Sequence, residues 1–534
     1  MVGTLLFVRW LSPSRSNLAL SSLMVLAAAL LCHAGSLSFV ARPLLVRVPP
    51  APLRLTPRAA PTTLALNPLV LRGGALVAPT IASLTATPAT TFNAVFAALC
   101  TVAAMSRVGS IAALLKPKSD AGTPSEESLA ARALQMRFLP VFWLLRMADW
   151  LQGPYFYEVY ASKIFNGQAA SLSLVSKLFL TGFGATALFG PAVGRLTDSK
   201  GRKAGTLAFA LFYTIGALTT RSPLLWVLLL GRLAGGIGTS LLFSAPEAWL
   251  VGEAQRTGAS GALGDTFGKA YAGDALVAIT AGQLASLAAG ARGASGPFEL
   301  SVGFLAAGAL LAGLTWKENR ATPAAGGDNK EGGVTIRDAA KVAVSDPKIL
   351  LVGSVQALFE GAMYIFVLQW PPSIAAAIGK AFAGGATPYG TVFSCFMVCC
   401  LLGSATFGAV AKAGVRTEVS TLGMLGFATL AMGAAAAGTG GAAVAALAPL
   451  AAAFFCFEAC VGMYFPSIGT LRSRYVPDSH RSVCQTGLEP RTSTDFARDR
   501  QPTACDPQPT RHSAPAHPDR PATYTLSLAL GRSS

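Results

Sequence analysis

Seven ionisable side chains stand inside long apolar stretches of this 534-residue chain: Arg146, Asp149, Lys177, Arg232, Asp274, Glu360 and Glu458. A charge among apolar residues is costly, so each is a candidate for binding a charged ligand or moving a proton. Arg146 and Asp149 are three apart, which puts them on one helix face and lets them neutralise each other. Lys177 either acts in a site or stretches its ammonium to an interface. Arg232, early in a glycine-rich run, is the strongest candidate to hold an oxyanion or couple a proton, with a structural tie to a carboxylate as the competing reading. Glu360 and Glu458 have no cation close in sequence and need a partner across a cavity, or a proton. Gln152 and Tyr155, just beyond Asp149, add hydrogen-bonding groups of the kind an oxyanion requires.

Other chemistries find little footing. The run Gly264-Asp-Thr-Phe-Gly268-Lys269-Ala270 lacks the spacing and the hydroxyl of a phosphate-binding loop. Gly182-Phe-Gly184-Ala-Thr-Ala187 fits a dinucleotide pattern but lies within an apolar run with no strand before it, which reads as helix packing. The histidines (His33, His480, His512 and His517) fall outside the apolar body, so no metal-ligand set forms with the cysteines inside it. Cys100, Cys395, Cys399, Cys400, Cys456 and Cys460 read as small hydrophobes. No metal, no cofactor and no enzymatic activity are expected.

The elements that must hold these residues follow from composition. The chain is 52% hydrophobic and only 13% charged, against roughly a quarter charged in soluble proteins. Eleven apolar stretches approach the length that crosses a bilayer: 92–115, 138–160, 168–193, 204–220, 223–246, 270–291, 298–315, 348–370, 388–410, 419–437 and 442–466. Glycines within them suit close helix contacts. Loops rich in Lys and Arg alternate with poor ones, and the positive-inside rule makes the rich set cytoplasmic. The net charge of +17 gathers at the N-terminus, where residues 1–118 hold ten basic residues and no acid. That distribution argues against a nucleic-acid partner. Residues 1–90 read as a signal- or transit-like leader, largely disordered, with a basic flank, the short apolar run Leu18–Cys32 and then Pro-, Arg- and Ser-rich sequence.

The polar segment 316–346 divides the bundle, with six spans from 138 to 315 before it and four from 348 to 467 after it. The expected fold is an all-α membrane bundle of two pseudo-repeat halves joined by a cytoplasmic central loop, the second half incomplete. The run Leu151-Gln152-Gly153-Pro154-Tyr155-Phe156 is faintly echoed by Phe359-Glu360-Gly361-Ala362-Met363-Tyr364 at the start of the second half.

The loop Gly194-Arg195-Leu196-Thr197-Asp198-Ser199-Lys200-Gly201-Arg202-Lys203 resembles the signature loop between the second and third helices of the major facilitator superfamily. Gly231-Arg232-Leu233-Ala234-Gly235-Gly236-Ile237-Gly238 is similar to that superfamily's fourth-helix motif. Five further segments narrow the resemblance: Ala148–Tyr155, Leu242–Trp249, Gln356–Glu360, Phe366–Pro371 and Gly462–Ser467. Together they resemble the molybdate-anion transporter branch, and 92–115 supplies the extra N-terminal helix of that branch.

The resemblance implies secondary transport of the molybdate anion by alternating access, with a lipid bilayer as surroundings, and a monomer; Asp149, Glu360 and Glu458 would repel that anion unless protonated, which fits protons as the coupling ion if they carry them. It implies the plasma membrane, whereas the leader's composition favours a plastid envelope. Gly194, Asp198, Gly201, Arg202 and Glu247 become a gating set, in which Glu247 is expected to pair with Arg202. A carrier of another small solute, or a transport-inactive remnant or sensor, is the alternative. Residues 483–534 read as a disordered tail where two more spans are due. The expectation is that the chain needs that end restored, after a frame change or retained intron near Ser482, in order to transport.

Overall fold

The computed structural model describes residues 87–115, 126–165, 167–320, 346–383, 385–439 and 446–475. The leader before residue 87, most of the central loop and the tail from 476 onward lie outside these residues. Within them the chain forms twelve α-helices and one short β-hairpin. In hydrocarbon every backbone polar group must be bonded within the segment, and apolar runs of this length meet that demand as helices.

Helix α1 (Pro88–Leu115) precedes the bundle. Helix α2 (Glu126–Gln152) is continued by a 3₁₀ turn and by α3 (Phe156–Ala161). The hairpin pairs β1 (Ile164–Phe165) antiparallel with β2 (Gln168–Ala169), Ile164 opposite Ala169. Then come α4 (Leu172–Lys200), α5 (Arg202–Thr219), α6 (Leu225–Arg256), α7 (Leu263–Arg292) and α8 (Gly296–Thr315). After the central loop stand α9 (Pro347–Ala381), α10 (Tyr389–Lys412), α11 (Thr417–Thr439) and α12 (Leu447–Tyr475). Each of the eleven apolar stretches read from the sequence overlaps a helix; 168–193 begins in the hairpin, 138–160 continues through the 3₁₀ turn into α3, and 442–445 lie outside the described residues.

Among the described residues, eight segments are long and apolar enough to cross a membrane, one of which, Ser260–Thr315, contains both α7 and α8. Helices α2 and α5 do not qualify. Arg137, Arg146 and Asp149 lower the hydropathy of α2, and Arg202 with Lys203 does the same to α5. Large side chains such as Leu180, Leu188, Leu276, Leu310, Leu358 and Leu430 are exposed, as they are on lipid-facing surfaces.

Helices α2 and α4–α8 pack as one group, in which α6 lies against both α4 and α5, and α8 against α2 and α5. Helices α9–α12 form a second group around α12, and the main junction between the groups is α7 against α10. Small residues permit that junction. A Cβ on Gly282 would press on Ser394, and one on Gly390 would press on Ser286, each within 3 Å. Helix α1 lies outside on α10, with Leu99 and Ala103 against Cys395, Val398 and Cys399.

Candidate functional site

Helix α2 presents Arg146, Asp149 and Trp150 from one face, because residues three and four apart align along a helix. Across from it, α7 brings Asp274. The Arg146 guanidinium grips Asp274 as a two-pronged fork, Nε to Oδ1 at 3.0 Å and Nη2 to Oδ2 at 2.9 Å. Trp150 Nε1 donates a third hydrogen bond to Asp274 Oδ1 at 2.8 Å. The remaining Nη1 of Arg146 reaches Asp149 Oδ2 at 3.2 Å. Fork geometry of this kind is the stronger form of an arginine–carboxylate pair. Arg146 is therefore tied first to α7 and only second to its own helix neighbour.

Asp149 has a different setting. Its side chain is 23% exposed, against 10% for Asp274. The Tyr213 hydroxyl of α5 donates to Asp149 Oδ1 at 2.8 Å and lies 2.9 Å from Thr239 Oγ1 of α6. Asp149 lines a cavity of about 600 Å³ that Asp274 does not reach.

Arg232 of α6 lines the same cavity. Its guanidinium lies 4.4 Å from the centre of the Phe156 ring, and its Nε donates to the Leu178 carbonyl of α4 at 3.4 Å. Among the described residues it makes no ion pair. Space for it depends on Gly182 of α4, where a Cβ would run into the guanidinium. The cavity also holds the hydroxyls of Thr186, Thr239, Ser240 and Ser244, and an aromatic wall of Phe156, Phe179, Phe183 and Phe243. Tyr364 of α9 closes it from the second group, its ring 4.6 Å from that of Phe183.

The other residues proposed from sequence fall in different places. Gln152 lines the cavity and donates to Ser301 Oγ of α8 at 3.1 Å. Tyr155 is buried at the α10 junction, edge-on to Tyr389 at 5.6 Å. Lys177 is exposed near the start of α4 and does not line the cavity, in keeping with an ammonium that stretches to an interface. Glu360 is buried on α9 and accepts a hydrogen bond from Tyr464 of α12 at 2.8 Å. Glu458, buried on α12, accepts from the Cys400 thiol of α10 at 3.0 Å. Neither Glu360 nor Glu458 lines the cavity.

The gating set needs correction at two points. Arg202 pairs with Asp198 at 3.1 Å, and Glu247 accepts a hydrogen bond from Tyr271 of α7, so the expected Arg202–Glu247 pair is replaced. The Arg202 guanidinium instead reaches α6 beside Gly252, about one and a half turns beyond Glu247. Gly194 and Gly201, the two glycines of the signature loop, suit a tight turn between helices by residue type, but Gly194 is part of α4, which runs on to Lys200. The whole turn falls on Gly201, with φ +137°.

Gly201 serves a second purpose. The Glu318 carboxylate, from the segment after α8, caps α5 by accepting from Lys203 N at 2.9 Å and Ala204 N at 3.0 Å. A Cβ at Gly201 would lie 2.6 Å from each of its oxygens. Lys203 Nζ donates in return to the Gly313 and Trp316 carbonyls at 2.7 and 2.9 Å, and Trp316 stacks on Trp249 with centroids 3.9 Å apart. Carboxylate at the start of α5 and ammonium at the end of α8 both suit the helix dipoles.

Sequence reading missed several of these partners. Asp274 was recognisable as a charge in an apolar run, but its pairing with Arg146 spans 128 residues. Tyr213 and Thr239 carry no signal apart from their type. Glu158 of α3 accepts from Tyr389 of α10 at 3.0 Å and thereby links the two helix groups.

Two packed helix groups, an interior cavity reached by side chains from both, and a guanidinium within it define a membrane carrier of the secondary type. A family model described as sugar transporters, 12 TM, matches residues 92–437. The molybdate-anion transporter of Takifugu rubripes is 31% identical over 398 residues, covering 67% of this chain and 78% of that protein. The molybdate-anion transporter of Xenopus tropicalis is 30% identical over 362 residues, covering 66% and 75%. In fold alone, the chain is similar to a point mutant of the nucleoside transporter NupG, with a TM-score of 0.53 at 13% identity over 68% of this chain and 88% of that one. The chain belongs to the major facilitator superfamily, in the family that contains the molybdate-anion transporters. These relatives are transporters, not enzymes.

Proposed function

We propose that this integral membrane protein is a secondary transporter that moves molybdate by alternating access, with Arg232 as the residue that meets the anion. The observation that carries the reading is the state of the two cavity arginines. Arg146 is held by Asp274 and Asp149, whereas Arg232 makes no ion pair among the described residues and faces a cavity with four neighbouring hydroxyls. A tetrahedral oxyanion offers only acceptors, and the Arg232 guanidinium supplies matching donors, while the hydroxyls of Thr186, Thr239, Ser240 and Ser244 would have to turn from the helix carbonyls they now bond in order to add to them. The names of the relatives at about 30% identity support the same substrate.

We extend the proposal to protons as the coupling ion, to a monomer, and to the plasma membrane, with a plastid envelope as the alternative. The cavity carboxylate Asp149 supports the first, the resemblance supports the next two, and the leader's composition supports the last.

A second reading rests on the aromatic wall. Phe156, Phe179, Phe183 and Phe243 would suit the faces of a sugar or other ring-shaped solute, in line with the description of the matching family model. The experiment is molybdate uptake in a cell lacking its own transporter. The chain, tested beside a version with its C-terminal end restored, accumulates molybdate in at least one of the two; in that background Arg232→Ala loses at least about tenfold while remaining in the membrane, and Arg232→Lys fails too because an ammonium does not reproduce the fork. Undiminished uptake by Arg232→Ala refutes the assignment, and sugar uptake in place of molybdate selects the second reading.

A further inference from the structure

We infer that Asp274 is a positioning residue that engages Arg146 and so makes Asp149 the carboxylate that takes up and releases the coupling proton. This rests on the proposed transport of an anion by this cavity.

One guanidinium here serves two carboxylates. Asp274 receives three donors, from Arg146 Nε and Nη2 and from Trp150 Nε1. Asp149 receives one Arg146 contact at 3.2 Å and one hydroxyl at 2.8 Å. With all groups ionised, Arg146, Asp149 and Asp274 together carry one excess negative charge, and Arg232 balances it. A dianion entering the cavity adds two negative charges beside the one carboxylate among the described residues that lines the cavity, Asp149. Like charges at short range favour the neutral form of one partner. Asp149 is that partner, because Asp274 is fixed by three donors and lies behind Arg146.

The hydrogen bonds around Asp149 accommodate both of its forms without moving a heavy atom. When Asp149 is ionised, Tyr213 donates to Oδ1 and accepts from Thr239. When Oδ1 carries the proton, Asp149 donates to Tyr213, whose hydroxyl turns to donate to Thr239 Oγ1 at 2.9 Å. Thr239 can make that turn because a hydroxyl both donates and accepts, and its own oxygen lies 3.0 Å from the Gly235 carbonyl. The proton arrives from water in the cavity on one side of the membrane and leaves to water on the other. No other bond forms or breaks.

The charged and titratable groups that act on Asp149 are Arg146 on its own helix, Tyr213 on α5 and Asp274 on α7; one step further out, Tyr271 of α7 acts on Arg146 and Arg232 of α6 on Tyr213. The Tyr271 hydroxyl is engaged by Glu247, and α8 contributes only the neutral Ser301 at this level. Asp149 is the member of this set with cavity exposure, one cation contact and a reversible hydroxyl partner.

Two variants separate this from a merely structural role. Wild-type molybdate uptake should rise as external pH falls. Asp149→Asn should flatten that profile, so that whatever uptake remains no longer rises as external pH falls. Asp274→Asn gives Arg146 wholly to Asp149 and removes a like charge, so ionised Asp149 is favoured and the uptake midpoint should move to lower pH by about one unit. A structural lesion would lower uptake equally at every pH. An unchanged wild-type profile in Asp149→Asn, or an unshifted midpoint in Asp274→Asn, overturns the inference and leaves molybdate transport standing. If the wild type neither takes up nor exchanges molybdate at any pH, the substrate reading fails and this one falls with it.

Discussion

In the first group of helices the carboxylates of half-buried Asp149 and buried Asp274 meet a guanidinium, whereas in the second buried Glu360 meets a tyrosine hydroxyl and buried Glu458 a thiol. The geometry differs as well as the chemistry. Asp149 borders the cavity, while Glu360 ties α9 to α12 and Glu458 ties α12 to α10, both away from the cavity. The four cavity hydroxyls and Arg232 also come from the first group, and the second contributes Tyr364 and Val367. The division of labour is therefore unequal: one group carries the charges that a solute would meet, and the other forms the wall against which they work.

The sharpest way to break this comparison is to disturb Arg232 without touching it. A Cβ at Gly182 would collide with the guanidinium, so Gly182→Ala should displace Arg232 and lower uptake about tenfold. Gly184, two residues on and on nearly the opposite face of the same helix, has no neighbour within 4 Å of a Cβ, and Gly184→Ala should leave uptake unchanged. Uptake and membrane abundance of the two variants, measured side by side, check the pair. Equal uptake would mean that the position of Arg232 is not what the cavity depends on.

These glycines also mark the limit of what the sequence discloses. The helices were legible because apolar runs of spanning length have few other solutions in a bilayer, and even α2, too charged to qualify by hydropathy, was visible from 138 onward. Arg146 with Asp149 was legible from their spacing of three. The dominant partner, Asp274, was not, since only the crossing of α2 and α7 brings it within 3.0 Å. Likewise the gating loop was visible from its glycines and charges, yet which charges meet was not. Asp198 lies only four residues before Arg202 across the Gly201 turn, and that short link prevails over Glu247 on another helix. Gly194 looked like a turn residue by type, but nothing in its neighbourhood ends α4 before Lys200.

A smaller effect tests the strap formed by Glu318 across the start of α5 rather than the cavity. Gly201→Ala places a side chain at φ +137° and against the Glu318 carboxylate, which should cost about 1–3 kcal/mol and release the cap on α5. The expected outcome is a melting temperature in detergent lower by several degrees. Glu318→Ala should reproduce part of that loss, because it removes the cap and leaves the backbone turn intact. If Gly201→Ala melts like wild type, the strap does not contribute to holding α5.

The smallest expected effects lie in the second group, and they bear most directly on the contrast with the first. If Glu360 serves only to join α9 to α12, then Glu360→Gln should be nearly silent, because the amide oxygen still accepts from Tyr464. Tyr464→Phe removes the donor and leaves a buried carboxylate without that bond, which should cost about 1–3 kcal/mol of stability. Glu458→Gln should likewise keep an acceptor for the Cys400 thiol, a weak donor whose loss in Cys400→Ala should cost less than the loss of the tyrosine hydroxyl. All four should keep molybdate uptake within about twofold of wild type, since such tie losses leave a transporter of ordinary stability mostly folded. The asymmetry is the test. Asp149→Asn, also an amide for a carboxylate, should flatten the pH profile in the first group, while the same exchange at Glu360 or Glu458 should not. A flattened profile in Glu360→Gln or Glu458→Gln would place proton handling in both groups and remove the unequal division.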